Sequence, residues 1–134
     1  MDPLVVRSPD PLPETRDALE AALKSHGFGV LTEIDLQATL LEKLGAEHEA
    51  HRILGVCNPG LAKRALDVDR DVALLLPCTI TLREVAGGTE VRAQDPEAAF
   101  TLAAAGTQAE LEPLARDVKA QIAAALDELR PPAS

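Results

Sequence analysis

Two short segments, Thr79 to Val85 and Thr89 to Gln94, lie either side of Ala86-Gly87-Gly88, and they limit the folds open to this chain more than any other feature of it. In the first, Ile80 and Leu82 alternate with Thr81 and Arg83, a period of two that puts apolar side chains on one face of a strand and polar ones on the other. The glycines between them allow a tight reversal, so the pair predicts a β-hairpin. A hairpin interrupts the strict alternation of strand and helix that a parallel, doubly wound sheet requires.

The rest of the chain supplies elements to set beside it. After the breaker cluster Asp10-Pro11-Leu12-Pro13, the segment Glu14 to Ser25 carries Ala18, Leu19, Ala22 and Leu23 at helical spacing and stops at Gly27. Phe28 to Ile34 alternates like a strand. Asp35 is a natural N-cap for a helix in which Leu36, Leu40, Leu41 and Leu44 form an apolar stripe ending at Gly45. The polar connection Glu47 to Ala50 leads into a strand from His51 to Cys57. Asn58 as N-cap and Pro59 in the first helical position then open a helix through Leu61 to Leu66. Val72 to Leu76 reads as an apolar strand with an edge or bulge at Pro77, which cannot donate to a sheet ladder. Finally, Leu111, Leu114, Val118, Ile122, Ala125 and Leu129 share one face of a long amphipathic helix that should cover the sheet.

Three or four helices interleaved with about five strands predict an α+β fold, a mostly antiparallel sheet with helices packed on it; a parallel doubly wound sheet is the alternative. One domain over residues 1–130 and a frayed tail at 131–134 account for the 134 residues. There is no internal repeat, and the one low-complexity stretch is Ala103-Ala104-Ala105.

Composition narrows the partners. Phe28 and Phe100 are the only aromatic residues, a poor platform for stacking nucleic-acid bases. Thirteen Lys and Arg against 22 Asp and Glu give a formal charge of −9, which repels phosphate backbones and anionic membrane surfaces. Neither nucleic acid nor membrane is therefore expected. The first residues lack the basic start and sustained apolar stretch of a secretion signal, which predicts a cytoplasmic protein. With only Cys57 and Cys78, free thiols in a reducing compartment are expected, a single bridge between them being the other option.

The chemistry centres on Gly55-Val56-Cys57-Asn58-Pro59-Gly60, where a cysteine at a strand end directly precedes a capped helix. Unpaired N–H groups and the positive end of the helix dipole favour a thiolate there, and Lys63 and Arg64 can add to that field. Cys57 in such a place can serve as nucleophile, persulfide carrier or soft-metal ligand; the competing reading is a small buried hydrophobe. Cys78 invites the same pair of readings. His48 and His51, three apart, suggest a zinc or copper site completed by a cysteine, or else a solvated polar loop beside Glu47 and Glu49. Asn58 and Gly60, with Lys63 and Arg64, can receive a small anion at the helix N-terminus, although Pro59 removes one donor. Glu33 and Asp35 can be read as a carboxylate pair, but capping explains Asp35 better. The common phosphate-cradling, dinucleotide, serine-elbow and zinc-protease motifs are missing, and no cofactor is expected.

The run Gly27-Phe28-Gly29-Val30-Leu31-Thr32-Glu33-Ile34-Asp35-Leu36-Gln37-Ala38-Thr39, followed by Glu42-Lys43-Leu44-Gly45, resembles a bacterial and archaeal family catalogued as domain of unknown function 302. The likeness continues in Arg52 to Pro59, Ala62 to Leu66 and Leu74-Leu75-Leu76-Pro77-Cys78, and covers roughly Gly27 to Pro96. It implies a curved antiparallel sheet backed by a long C-terminal helix, similar to the TATA-binding-protein-like class, often as a dimer, and it implies no activity. The family's recurrent positions fall on Glu33, Asp35, Lys43, Cys57, Asn58, Pro59, Pro77 and Cys78. Lys43 becomes a candidate partner for Cys57.

Three functions follow as expectations. The first is a dimeric domain binding a small ligand or a partner, with Cys57 at the mouth of a pocket between sheet and helices. A thiol enzyme or sulfur carrier using Cys57, with its thiolate held by Lys43 or Lys63, is the second. The third is a metal-handling protein using Cys57, Cys78 and a histidine.

Overall fold

The computed structural model describes residues 4–101 and 106–131. The alanine run at 103–105 and all but the first residue of the tail at 131–134 lie outside the described residues. In chain order the elements are β1 (Leu4–Ser8), α1 (Leu12–Ser25), β2 (Gly29–Asp35), α2 (Leu36–Leu44), β3 (His51–Cys57), α3 (Pro59–Val68), a 3₁₀ helix (Arg70–Leu75), β4 (Cys78–Val85), β5 (Gly88–Ala93), α4 (Pro96–Phe100) and α5 (Gln108–Asp127). The strands form one sheet in the order β1-β5-β4-β3-β2, and every neighbouring pair is antiparallel. This is the predicted α+β architecture, with the long C-terminal helix on the sheet. Among the described residues no helix is long and apolar enough to cross a membrane.

The hairpin falls where alternation placed it, with Val85 opposite Gly88 and Gly87 at a φ of 85°, which a residue with a Cβ rarely adopts. Val6, Leu54, Val56, Ile80, Leu82, Val91 and Ala93 all point to one side of the sheet and are buried there. Leu19 and Leu23 of α1 and Leu111, Val118 and Ile122 of α5 close that side, each at helical spacing. Helices therefore cover one face of β1, β5, β4 and β3.

Two expectations need correction. Val72 to Leu76 is not a strand: it lies mostly in the 3₁₀ helix, which Asp69 starts by accepting a hydrogen bond from the Asp71 N–H at 2.9 Å. A short apolar run does not distinguish strand from helix, and here Val72 points inward while Leu74 is exposed. Pro77, after a cis peptide bond, lies between the 3₁₀ helix and β4, and the sheet's irregularity falls instead between Val30 and Thr32 of β2. The fifth strand is β1, whose Leu4 to Ser8 pair with Thr89 to Ala93.

Candidate functional site

At the end of β3 the chain turns from sheet into α3. Asn58 adopts an extended conformation and caps the helix, its Oδ1 accepting from the Leu61 N–H at 3.2 Å, while Pro59 occupies the start of the helix. Its Nδ2 donates to the His26 carbonyl at 3.5 Å and so ties this corner to the end of α1. Val56 lies opposite Cys78 in the sheet register, which brings the two cysteines to one corner. Cys57 is half-buried and Cys78 buried, and both are free thiols. They border a narrow cleft lined by Phe28, Leu61, Phe100 and Leu114, with about 20 Å³ for the centre of a water-sized molecule. That is room for about one water.

Position and environment pull the Cys57 thiol in opposite directions. The helix N-terminus favours the thiolate, but burial pushes the thiol up from its ordinary value. Cys78 is pushed up to about 11 by burial, with Cys57 adding to the shift. Neither proposed lysine counters this. Lys63 is exposed and pairs with Asp67 one turn along its own helix. Lys43 is exposed in the last turn of α2, a helix that begins after Asp35, opposite Arg52 and so at the far end of β3 from Cys57. Gly60 is exposed beside the cap.

Glu33 stands apart from the thiols. It lies opposite Leu54, and its carboxylate accepts from Arg16 Nη2 at 2.9 Å and Arg52 Nη1 at 3.0 Å. Burial alone would raise its pKa, but the two guanidinium groups outweigh burial and hold it below its ordinary value. Asp35 has the separate job of capping α2, accepting from the Ala38 N–H at 3.0 Å. The two acids therefore do not form a working pair.

The histidines do come together. His48 Nε2 lies 3.0 Å from His51 Nδ1, the ring planes are inclined by only 14°, and Glu49 Oε2 is 3.4 Å from His48 Nδ1. Burial lowers the His51 pKa, and the charge on a protonated His48 lowers it further. No cysteine joins them, because His51 and Cys57 sit at opposite ends of β3, roughly 20 Å apart by strand rise.

One cluster escaped sequence reasoning. On the sheet face opposite α1 and α5, the register places Arg7, Glu90 and Arg83 in one row. Glu90 accepts from Arg92 Nε at 2.8 Å and Arg83 Nη2 at 3.2 Å, with Arg7 Nη2 at 3.9 Å. Alternation within β5 puts Glu90 and Arg92 on one face, but the convergence becomes visible only once β1 and β4 flank β5.

A five-stranded antiparallel sheet with helices packed on it defines an α+β domain, a class that hosts many unrelated functions. The family is narrower: residues 4–129 match the model for Domain of unknown function DUF302, and the chain belongs to that family. The chain is also similar to the crystal structure of an uncharacterized conserved DUF302 protein from Bacillus stearothermophilus. The two are 31% identical with a TM-score of 0.88, over 97% of this chain and 99% of that one. No curated protein matches.

Proposed function

We propose that this chain is a cytoplasmic binding domain that works as a homodimer, with an apolar surface on β2 and α2 covered by a second copy. The observation that carries the reading is the exposure of four large aliphatic residues on adjoining elements: Leu31 at 63%, Ile34 at 47%, Leu41 at 58% and Leu44 at 74%. Isolated exposed leucines are ordinary, but a group on one strand and the helix that follows it marks an interaction surface. A two-fold axis lets such a patch cover itself, the commonest solution among oligomers. The raised thiols favour binding over nucleophilic chemistry, since the thiolate is the reactive form.

Size-exclusion chromatography with light scattering tests the dimer. Wild type is expected at twice the 14.2 kDa chain mass, and the Leu41→Glu/Leu44→Glu variant at the chain mass with its circular dichroism unchanged. A monomeric wild type at high concentration would refute the reading.

A further inference from the structure

The connection between α2 and β3 is built more carefully than a solvated loop needs. Gln37 Nε2 donates to the His48 carbonyl at 3.0 Å, which anchors the connection to α2. His48 then meets His51 edge to edge, with ring centroids 5.3 Å apart and planes inclined by 14°. Their facing nitrogens, His48 Nε2 and His51 Nδ1, are 3.0 Å apart, one donating and the other accepting. The other nitrogen of His48 faces Glu49 Oε2 at 3.4 Å, and Glu49 Oε1 lies 3.6 Å from Arg83 Nη1.

Two nitrogens bonded to one late transition ion at about 2.0–2.1 Å are separated by roughly 2.9–3.4 Å, from octahedral to tetrahedral geometry. The observed 3.0 Å separation falls in that range, and a turn of each ring by about 40° from the head-on hydrogen-bonded arrangement aims both lone pairs at one ion. An ion replacing the shared N–H proton needs a lone pair from each ring. His48 must then carry its proton on Nδ1, the nitrogen that faces Glu49. A carboxylate receiving the N–H of a metal-bound imidazole fixes its tautomer and raises its basicity.

We infer that His48 Nε2 and His51 Nδ1 form a two-nitrogen site for a divalent late transition ion, with Glu49, itself held by Arg83, as the positioning residue and water completing the coordination. Imidazole donors select copper, nickel and zinc over magnesium and calcium, which prefer all-oxygen sites. Copper(II) binds tightest by the usual order of divalent ions. The site uses neither the thiols nor the four aliphatic residues of the dimer surface proposed above.

Calorimetric titration of the tag-free protein with copper(II), zinc(II) and magnesium chlorides, together with electron paramagnetic resonance of the copper form, tests the site. The expected result is one copper per chain with coupling to two nitrogens, weaker zinc binding, and no response to magnesium. His51→Ala, with an unchanged far-ultraviolet spectrum, should weaken copper binding at least tenfold. Glu49→Gln should weaken it by about 10–100-fold while keeping the two-nitrogen signature. The Cys57→Ser/Cys78→Ser variant should bind like wild type. Equal affinity in wild type and His51→Ala, no copper binding to wild type, or a spectrum showing thiolate ligation would each overturn the assignment.

Discussion

Replacing Glu90 with Gln keeps the shape of the side chain and removes the charge at the meeting point of three arginines. Its side chain is only 8% exposed, yet the three arginines that meet it are themselves 39–68% exposed. A hydrogen bond to a charged group contributes about 1.5–3 kcal/mol when well shielded, and an exposed ion pair about 0–1 kcal/mol. Arg83 and Arg92 are partly exposed, so water replaces part of what they lose; the expected cost of Glu90→Gln near neutral pH is about 1–2 kcal/mol. The pH dependence provides a second signature. The hydrogen bond from Arg92, opposed by burial and supported by a further one from Arg83, holds the folded-state pKa of Glu90 below its ordinary value. A carboxylate depressed in the folded state stabilises fully above its unfolded pKa of about 4.3, and that stability disappears as pH falls through the lower folded value. Urea unfolding of wild type and variant across a pH series should show a gap that is constant in the neutral range and closes in acid. A gap under about 0.5 kcal/mol at neutral pH, or one that persists unchanged in acid, would refute the reasoning.

Two further outcomes follow from the site corner. A Cβ added at Gly55 would run into Thr32 Oγ1 and come within 2.7 Å of Pro77 Cγ, so Gly55→Ala should cost about 1–3 kcal/mol in a urea unfolding experiment; a neutral effect would show that the strand contact yields freely. Alkylation rates followed against pH should be slow for both thiols near neutrality and slower for Cys78 than for Cys57, with single serine variants assigning them. An apparent Cys57 pKa below the ordinary thiol value of about 8.5 would restore the thiol-enzyme reading.

Features fixed by neighbours in sequence were legible, and those fixed by distant partners were not. Asp35 and Asn58 cap α2 and α3 as their residue types demand, because a cap needs only the next few N–H groups. The β4–β5 hairpin needs only its own turn. β1, by contrast, is five residues long and is a strand because β5, some eighty positions later, pairs with it. The same limit governs the site. Cys57 was recognisable at a strand–helix junction, but its burial depends on Phe28, Phe100 and Leu114 meeting around it. Glu33 stood out in the sequence as a recurrent position of the family, while Arg16 and Arg52, which hold its charge, come from α1 and β3 and share no local pattern with it.

The α2 helix carries this distinction furthest. Its stripe of Leu36, Leu40, Leu41 and Leu44 is periodic, and periodicity reports that a helix face will leave water without saying what will cover it. Within the chain, Leu36 and Leu40 are half-buried, whereas Leu41 and Leu44 stay exposed. A stripe serving only this chain's core would have its leucines covered by the sheet, as Leu111, Val118 and Ile122 of α5 are. The contrast between two amphipathic helices of one chain, α5 buried along its stripe and α2 only at its base, is the reason for placing the proposed second copy on α2. Charge at Leu41 and Leu44 should therefore change assembly while leaving the fold intact.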